Sequence, residues 1–173
     1  MIMRIMDGLM AIPGILLAIG LVSLFRAGLG TVIFAIVVPE IPRVVRLVRS
    51  VVLTIREEPY VEAAISVGTP VHKILWRLWR HVMPNTVAPV IVQGTFICAS
   101  AILAEAALSF LGIGIPTDTP TWGNIMAEGR QFFRVYPHNI FFPAIFLTVI
   151  VLAVNMLGDG LRDTLDPKMS KRV

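Results

Sequence analysis

The sequence predicts an all-α integral membrane protein with about four transmembrane helices and one polar helix–turn–helix between the second and third. Two observations carry this. The 173 residues are 56% hydrophobic and only 15% charged, with a mean hydropathy of +0.81, whereas a soluble domain carries about 25% charged residues. The apolar residues also fall into long runs that are nearly free of charge, interrupted at length only by Glu57 to Asn85, EEPYVEAAISVGTPVHKILWRLWRHVMPN.

The first span is expected at about 8–25, between Asp7 and Arg26, near the short end of the roughly 17–25 residues a helix needs to cross a bilayer. Pro13-Gly14 can kink it. The second is expected at about 28–48. It contains Pro39-Glu40-Ile41-Pro42 and then Arg43, Arg46 and Arg49, whose long side chains can snorkel to one interface. Glu40 has two readings, a pathway carboxylate or the partner of Arg43 one helical turn away. The nearness of the arginines favours the pair.

The polar segment at 55–83 has internal design. Pro59 suits a first helical turn, with Glu57, Glu58 and Glu62 near the positive helix end. Ala63, Ala64, Ser66 and Gly68 make a small-residue surface, and Gly68 is a natural stop. Thr69 reads as an N-cap and Pro70 as the first position of a second helix. That helix carries Val71, Ile74, Leu75, Leu78 and Val82 on one face and Lys73, Arg77 and Arg80 on another. Pro84 is expected to end the motif. An amphipathic loop resting on lipid headgroups would look the same. A DNA-reading role is disfavoured by the apolar spans that closely flank the segment.

The third span is expected at about 84–111, with Glu105 toward its far end, either lining a pathway or satisfied by a neighbouring helix. A loop at 113–135 follows, broken by Pro116 and Pro120. Trp122 within it reads as a headgroup anchor or, more sharply, as a ligand-stacking ring. The fourth span is expected at about 136–158. Lys and Arg cluster at both termini and in the 43–80 region, leaving Arg26, Arg130 and Arg134 for the opposite side. The positive-inside rule therefore puts both termini and the polar segment in the cytoplasm.

The chemistry of common enzymes is missing from the sequence. It has no G-x-x-x-x-G-K-[ST] phosphate loop, no H-E-x-x-H helix and no G-x-S-x-G elbow. The lone Cys98 permits no internal disulfide, and Asp159, Asp163 and Asp166 lack the pattern of a calcium loop. No A-x-A cleavage site follows the first apolar run, so no removable leader is expected. The chain is expected not to be an enzyme and to hold no catalytic residue, metal or cofactor. A membrane-embedded enzyme or lipid-bound structural protein is kept as the contrasting reading.

Glu62-Ala63-Ala64, Gly68 and Met83-Pro84 resemble the EAA loop of ABC-importer permeases. In that family the loop docks on the ATPase subunit, which would make Glu62, Ala63, Ala64, Gly68 and Pro84 the coupling residues. Ile102–Gly114 (ILAEAALSFLGIG), Thr119–Asn124 (TPTWGN) and Asp159–Pro167 (DGLRDTLDP) resemble the dipeptide/oligopeptide/nickel branch. The resemblance implies a bacterial or archaeal inner-membrane machine built from two permease subunits, ABC ATPase subunits that bind the ATP, and an extracytoplasmic substrate-binding protein. Short peptides would be the substrate, with nickel or another small solute as the alternative. Family members usually have six spans, and Arg4-Ile5-Met6-Asp7 resembles the link before the third. The expectation is a permease lacking the first two spans, with a transport-inactive truncated form as a further alternative.

Overall fold

A computed structural model describes residues 2–26, 28–68 and 71–165; for Tyr60, Glu62, Ala64, Ile65 and residues 71–85 it describes the backbone only. The elements are α1 (Ile2–Met10), α2 (Gly14–Leu24), α3 (Leu29–Arg56), α4 (Pro59–Ser66), α5 (Val71–Phe110), α6 (Trp122–Gly129), a 3-10 turn (Arg130–Phe132) and α7 (His138–Leu165). All are helical, as the apolar runs dictate.

The first run is not one straight helix: α1 and α2 meet at 95°. Pro13 supplies the cause. It has no N–H to continue the ladder and disfavours helical geometry at Ile12, while its own carbonyl starts α2 by accepting from Leu16 and Leu17 at 3.0 and 3.1 Å. By contrast, α3 runs unbroken through Pro39 and Pro42. Among the described residues two helices are long and apolar enough to cross a membrane, Thr86–Phe110 within α5 and His138–Leu165, or three if the bent pair counts as one span. The α3 helix is long enough, but its second half carries Glu40, Arg43, Arg46, Arg49 and Arg56.

Pro84 does not end a helix, contrary to the sequence expectation. The backbone of α5 continues from Val71 to Phe110, 40 residues and about 60 Å. A proline inside a helix removes one ladder bond, and long membrane-associated helices accept that loss. The second helix of the polar segment and the third apolar run are thus one rod. Thr69, the expected N-cap, and Pro70, the expected first position of the second helix, lie outside the described residues.

Packing follows membrane logic. Many large apolar side chains point outward, among them Phe141, Phe142, Phe146, Leu152 and Met156 of α7, while most of the buried apolar positions, Leu108 apart, are small or β-branched, such as Ala18, Val22, Val32, Ala35, Ala99 and Ala106. Lipid is as apolar as leucine, so helices associate through close backbone approach. At the α5–α7 crossing, a Cβ on Gly158 would collide with Thr95 Oγ1. Glycines at the two ends of α6 wedge it between its neighbours: a Cβ on Gly123 would lie 2.6 Å from the Ala106 carbonyl oxygen of α5, and one on Gly129 would lie 3.0 Å from Asn139 Cβ of α7.

Candidate functional site

Three groups of residues singled out by the sequence lie in different parts of the fold. The first is the polar segment. Only Glu57 and Glu58 separate α3 from α4, and Glu58 N–H bonds back to the Ile55 carbonyl at 3.3 Å. Buried Ile55 and Val61 pin this tight corner from either side. After α4 the chain turns at Gly68, whose φ of +74° is left-handed and costs a side-chain-bearing residue about 1–2 kcal/mol. Ala63, Ser66, Val67 and Gly68 are all exposed at this end. Val67 is 85% exposed, an apolar side chain standing clear of the protein beside small residues. Sequence reading missed it, because a valine after a serine carries no local signal of exposure. Glu62 and Ala64 lie in α4 and Pro84 in α5; their side chains lie outside the described residues.

The second group is Glu40. Its Oε2 accepts from Arg43 at 2.6 Å, with the glutamate side chain 18% exposed and the arginine 53%. A second ion pair, invisible at sequence level because its partners stand far apart in the chain, joins Arg46 of α3 to Asp7 of α1 at 2.7 Å.

The third group surrounds the C-terminal end of α5. The helix ends in a Schellman motif around Gly112 (φ +77°): Ile113 N–H bonds to the Leu108 carbonyl at 3.0 Å and Gly112 N–H to that of Ser109 at 2.9 Å. Ser109 is 1% exposed. Its hydroxyl donates to Glu105 at 2.7 Å and accepts from Ile115 N–H at 3.2 Å. That hydroxyl thus links Glu105 within the helix to the backbone of the chain reversal at Ile115. Thr121 caps α6 by accepting from Asn124 N–H at 3.2 Å. Asn124, 3% exposed, directs its side-chain NH2 to the carbonyls of Ile115, Pro116 and Thr119 at 3.1, 3.2 and 3.0 Å. The sequence placed Asn124 in a loop but gave no sign that its side chain clasps that loop.

Between α3 and α5 lies a groove of about 370 Å³, lined by Leu29, Val32, Ile33, Ile36 and Val37 on one side, by Ala101, Ile102 and Glu105 on the other, and by Trp122. Glu105 is met by Ser109 of its own helix rather than by a neighbouring one, and it borders this groove. Trp122 lines that cleft beside it. Among the described residues no cluster of three His, Cys, Asp or Glu is placed to hold a metal ion. Cys98 is exposed on α5.

Residues 1–171 match the family described as "Binding-protein-dependent transport system inner membrane component". The chain is 54% identical over 171 residues to a probable peptide ABC transporter permease protein of Sinorhizobium fredii, a match covering 99% of this chain and 58% of that protein. It is 43% identical over 169 residues to a dipeptide transport system permease protein of Alkalihalophilus pseudofirmus and, equally, to a glutathione transport system permease protein of Escherichia coli, each match covering 98% of this chain and 55% of the relative. The chain therefore spans a little over half the length of the curated relatives it matches.

Proposed function

The chain belongs to the family of binding-protein-dependent transport system inner membrane components, and from that membership we propose that it serves as a transmembrane permease subunit of an ABC importer that moves short peptides across the cytoplasmic membrane. The observation that carries the reading is the match along residues 1–171, together with relatives named for peptide, dipeptide and glutathione transport. Glutathione is itself a short peptide, so the three names converge on one substrate class. Nickel or another small solute is the runner-up.

In this reading the bent pair α1–α2, α3, residues 86–110 of α5, and α7 supply four crossings, and both termini and the α4 corner face the cytoplasm. ATP is bound by separate ATPase subunits; a second permease subunit and an extracytoplasmic binding protein complete the machine. Glu62, Ala63, Ala64, Gly68 and Pro84 belong to the segment that docks on the ATPase. The exposed Ala63-to-Gly68 end supports this, since small side chains around a left-handed turn permit close backbone approach, and Val67 adds an apolar contact. Because α5 is continuous from Val71 to Phe110, a push on the docking segment would travel along one rod to Glu105 and the groove beside Trp122, where Glu105 is the pathway carboxylate; Glu40, held by Arg43, has a structural role.

The test is co-expression with a cognate ATPase, second permease subunit and binding protein. Gly68→Leu places a bulky side chain at φ +74° on the proposed contact surface. ATPase co-purification or binding-protein-stimulated hydrolysis should fall at least several-fold. Unchanged values for both would remove the docking assignment.

A further inference from the structure

The α1–α3 region divides at one level. Pro13 and Gly14 open α2, and Gly14 lies against α3 at Pro39, where a Cβ built on the glycine would be 3.4 Å from Pro39 Cβ. At this level α1 and α2 bend by 95°. In α3, Pro39 and Pro42 deprive the Ala35 and Val38 carbonyls of their ladder donors, so the helix is weakest against bending at this height. On the α2 side of this level, Ala18, Val22, Val32 and Ala35 are all buried in one cluster with Leu108 and Ile115. On the other side, α1 has no buried residue; it packs along α3, to which the solvent-exposed Asp7–Arg46 ion pair also joins it at 2.7 Å. Arg46 follows Pro39 by about two helical turns, and Asp7 precedes Gly14 across the bend between α1 and α2. From Arg46 the helix runs to Arg56 and through the two-residue corner into α4.

We propose that the Gly14–Pro39 contact is a hinge, and that the Asp7–Arg46 ion pair makes α1, the second half of α3 and α4 one lever that tilts against the packed α2–α3–α5 cluster. Asp7 and Arg46 are then positioning residues for transport. This rests on the reading of α4 as the ATPase-docking segment. Proline-weakened helices absorb a rotation locally, while the ion pair stops α1 from lagging behind. Without the tie, motion of α4 would be spent bending α3 alone.

The experiment uses the assembled complex in lipid nanodiscs, in a Cys98→Ala background, with spin labels on two cysteine pairs. Ile5→Cys with Ser50→Cys reports within the lever, and Leu24→Cys with Ser50→Cys reports across the hinge. Distances are measured without nucleotide and with a nonhydrolysable ATP analogue. The expected result is a shift between positions 24 and 50, while positions 5 and 50 hold to within about 2 Å, the scale of ordinary helix adjustments. Asp7→Arg should release the 5–50 distance and lower peptide uptake several-fold without loss of ATPase co-purification, and Asp7→Arg with Arg46→Asp should restore both, whereas a merely structural pair would leave uptake unmoved. The proposal is overturned if 24–50 stays fixed, if 5–50 shifts as much as 24–50, or if the charge swap fails to restore it. Failure of the wild-type chain to co-purify an ATPase is seen before any labelling; it overturns the docking reading itself, and the lever with it.

Discussion

Gly123→Ala tests the close approach of α6 to α5. The new Cβ would lie 2.6 Å from the Ala106 carbonyl oxygen, 2.7 Å from Ser109 Cβ and 3.0 Å from Ala106 Cα. These are backbone and Cβ atoms, so no rotamer change relieves the overlap. Reaching an ordinary carbon–oxygen contact of about 3.3 Å or more requires α6 to retreat from α5 by about 0.7 Å. Overpacking of this kind costs about 1–3 kcal/mol. The helix preference of Ala over Gly returns at most about 1 kcal/mol, and less in a first turn. The net loss is about 1–2 kcal/mol, a fall of about 3–6 °C in Tm for a chain of this size. Gly160→Ala is the control, because nothing lies within 4 Å of its added Cβ. Scanning fluorimetry of the full chain in detergent gives the readout. If Gly123→Ala melts at or above wild type while Gly160→Ala is neutral, α6 does not pack on α5 as described and the argument fails.

Asn124→Asp should be at least as damaging as Asn124→Ala, because a carboxylate would face three carbonyl oxygens that the amide now satisfies; the expected loss is about 2 kcal/mol or more, and a Tm of the Asp variant above that of Ala would refute the clasp. In a Cys98→Ala background, Ser66→Cys should resist a membrane-impermeant thiol reagent in intact cells while Thr119→Cys reacts, and external labelling at 66 would reverse the topology.

Several features were legible in the residues themselves because their causes are local. Apolar runs of span length must satisfy their backbone internally, so they become helices. Pro13 announced a break, Gly68 a turn, and the Glu62-Ala63-Ala64…Gly68 spacing the family. What the sequence left open depends on atoms brought together from a distance. Pro84 and Pro13 are the same residue type in similar apolar-to-polar settings, yet α5 passes straight through one and the chain turns 95° at the other. Local chemistry allows both outcomes, because a helix that loses one ladder bond can continue or bend at similar local cost. Ser109 and Asn124 read as ordinary polar residues until the loop folds back and supplies the carbonyls and N–H they hold. Asp7 and Arg46 acquire a relation only once Gly14 packs on Pro39 and brings α1 beside α3. The sequence by itself determined an all-helical membrane protein and its family, since hydropathy, proline and glycine act within a few residues. The tertiary structure alone decided which helix bends, which glycines are contact points and which charges meet, since each of those depends on how closely two distant backbones approach.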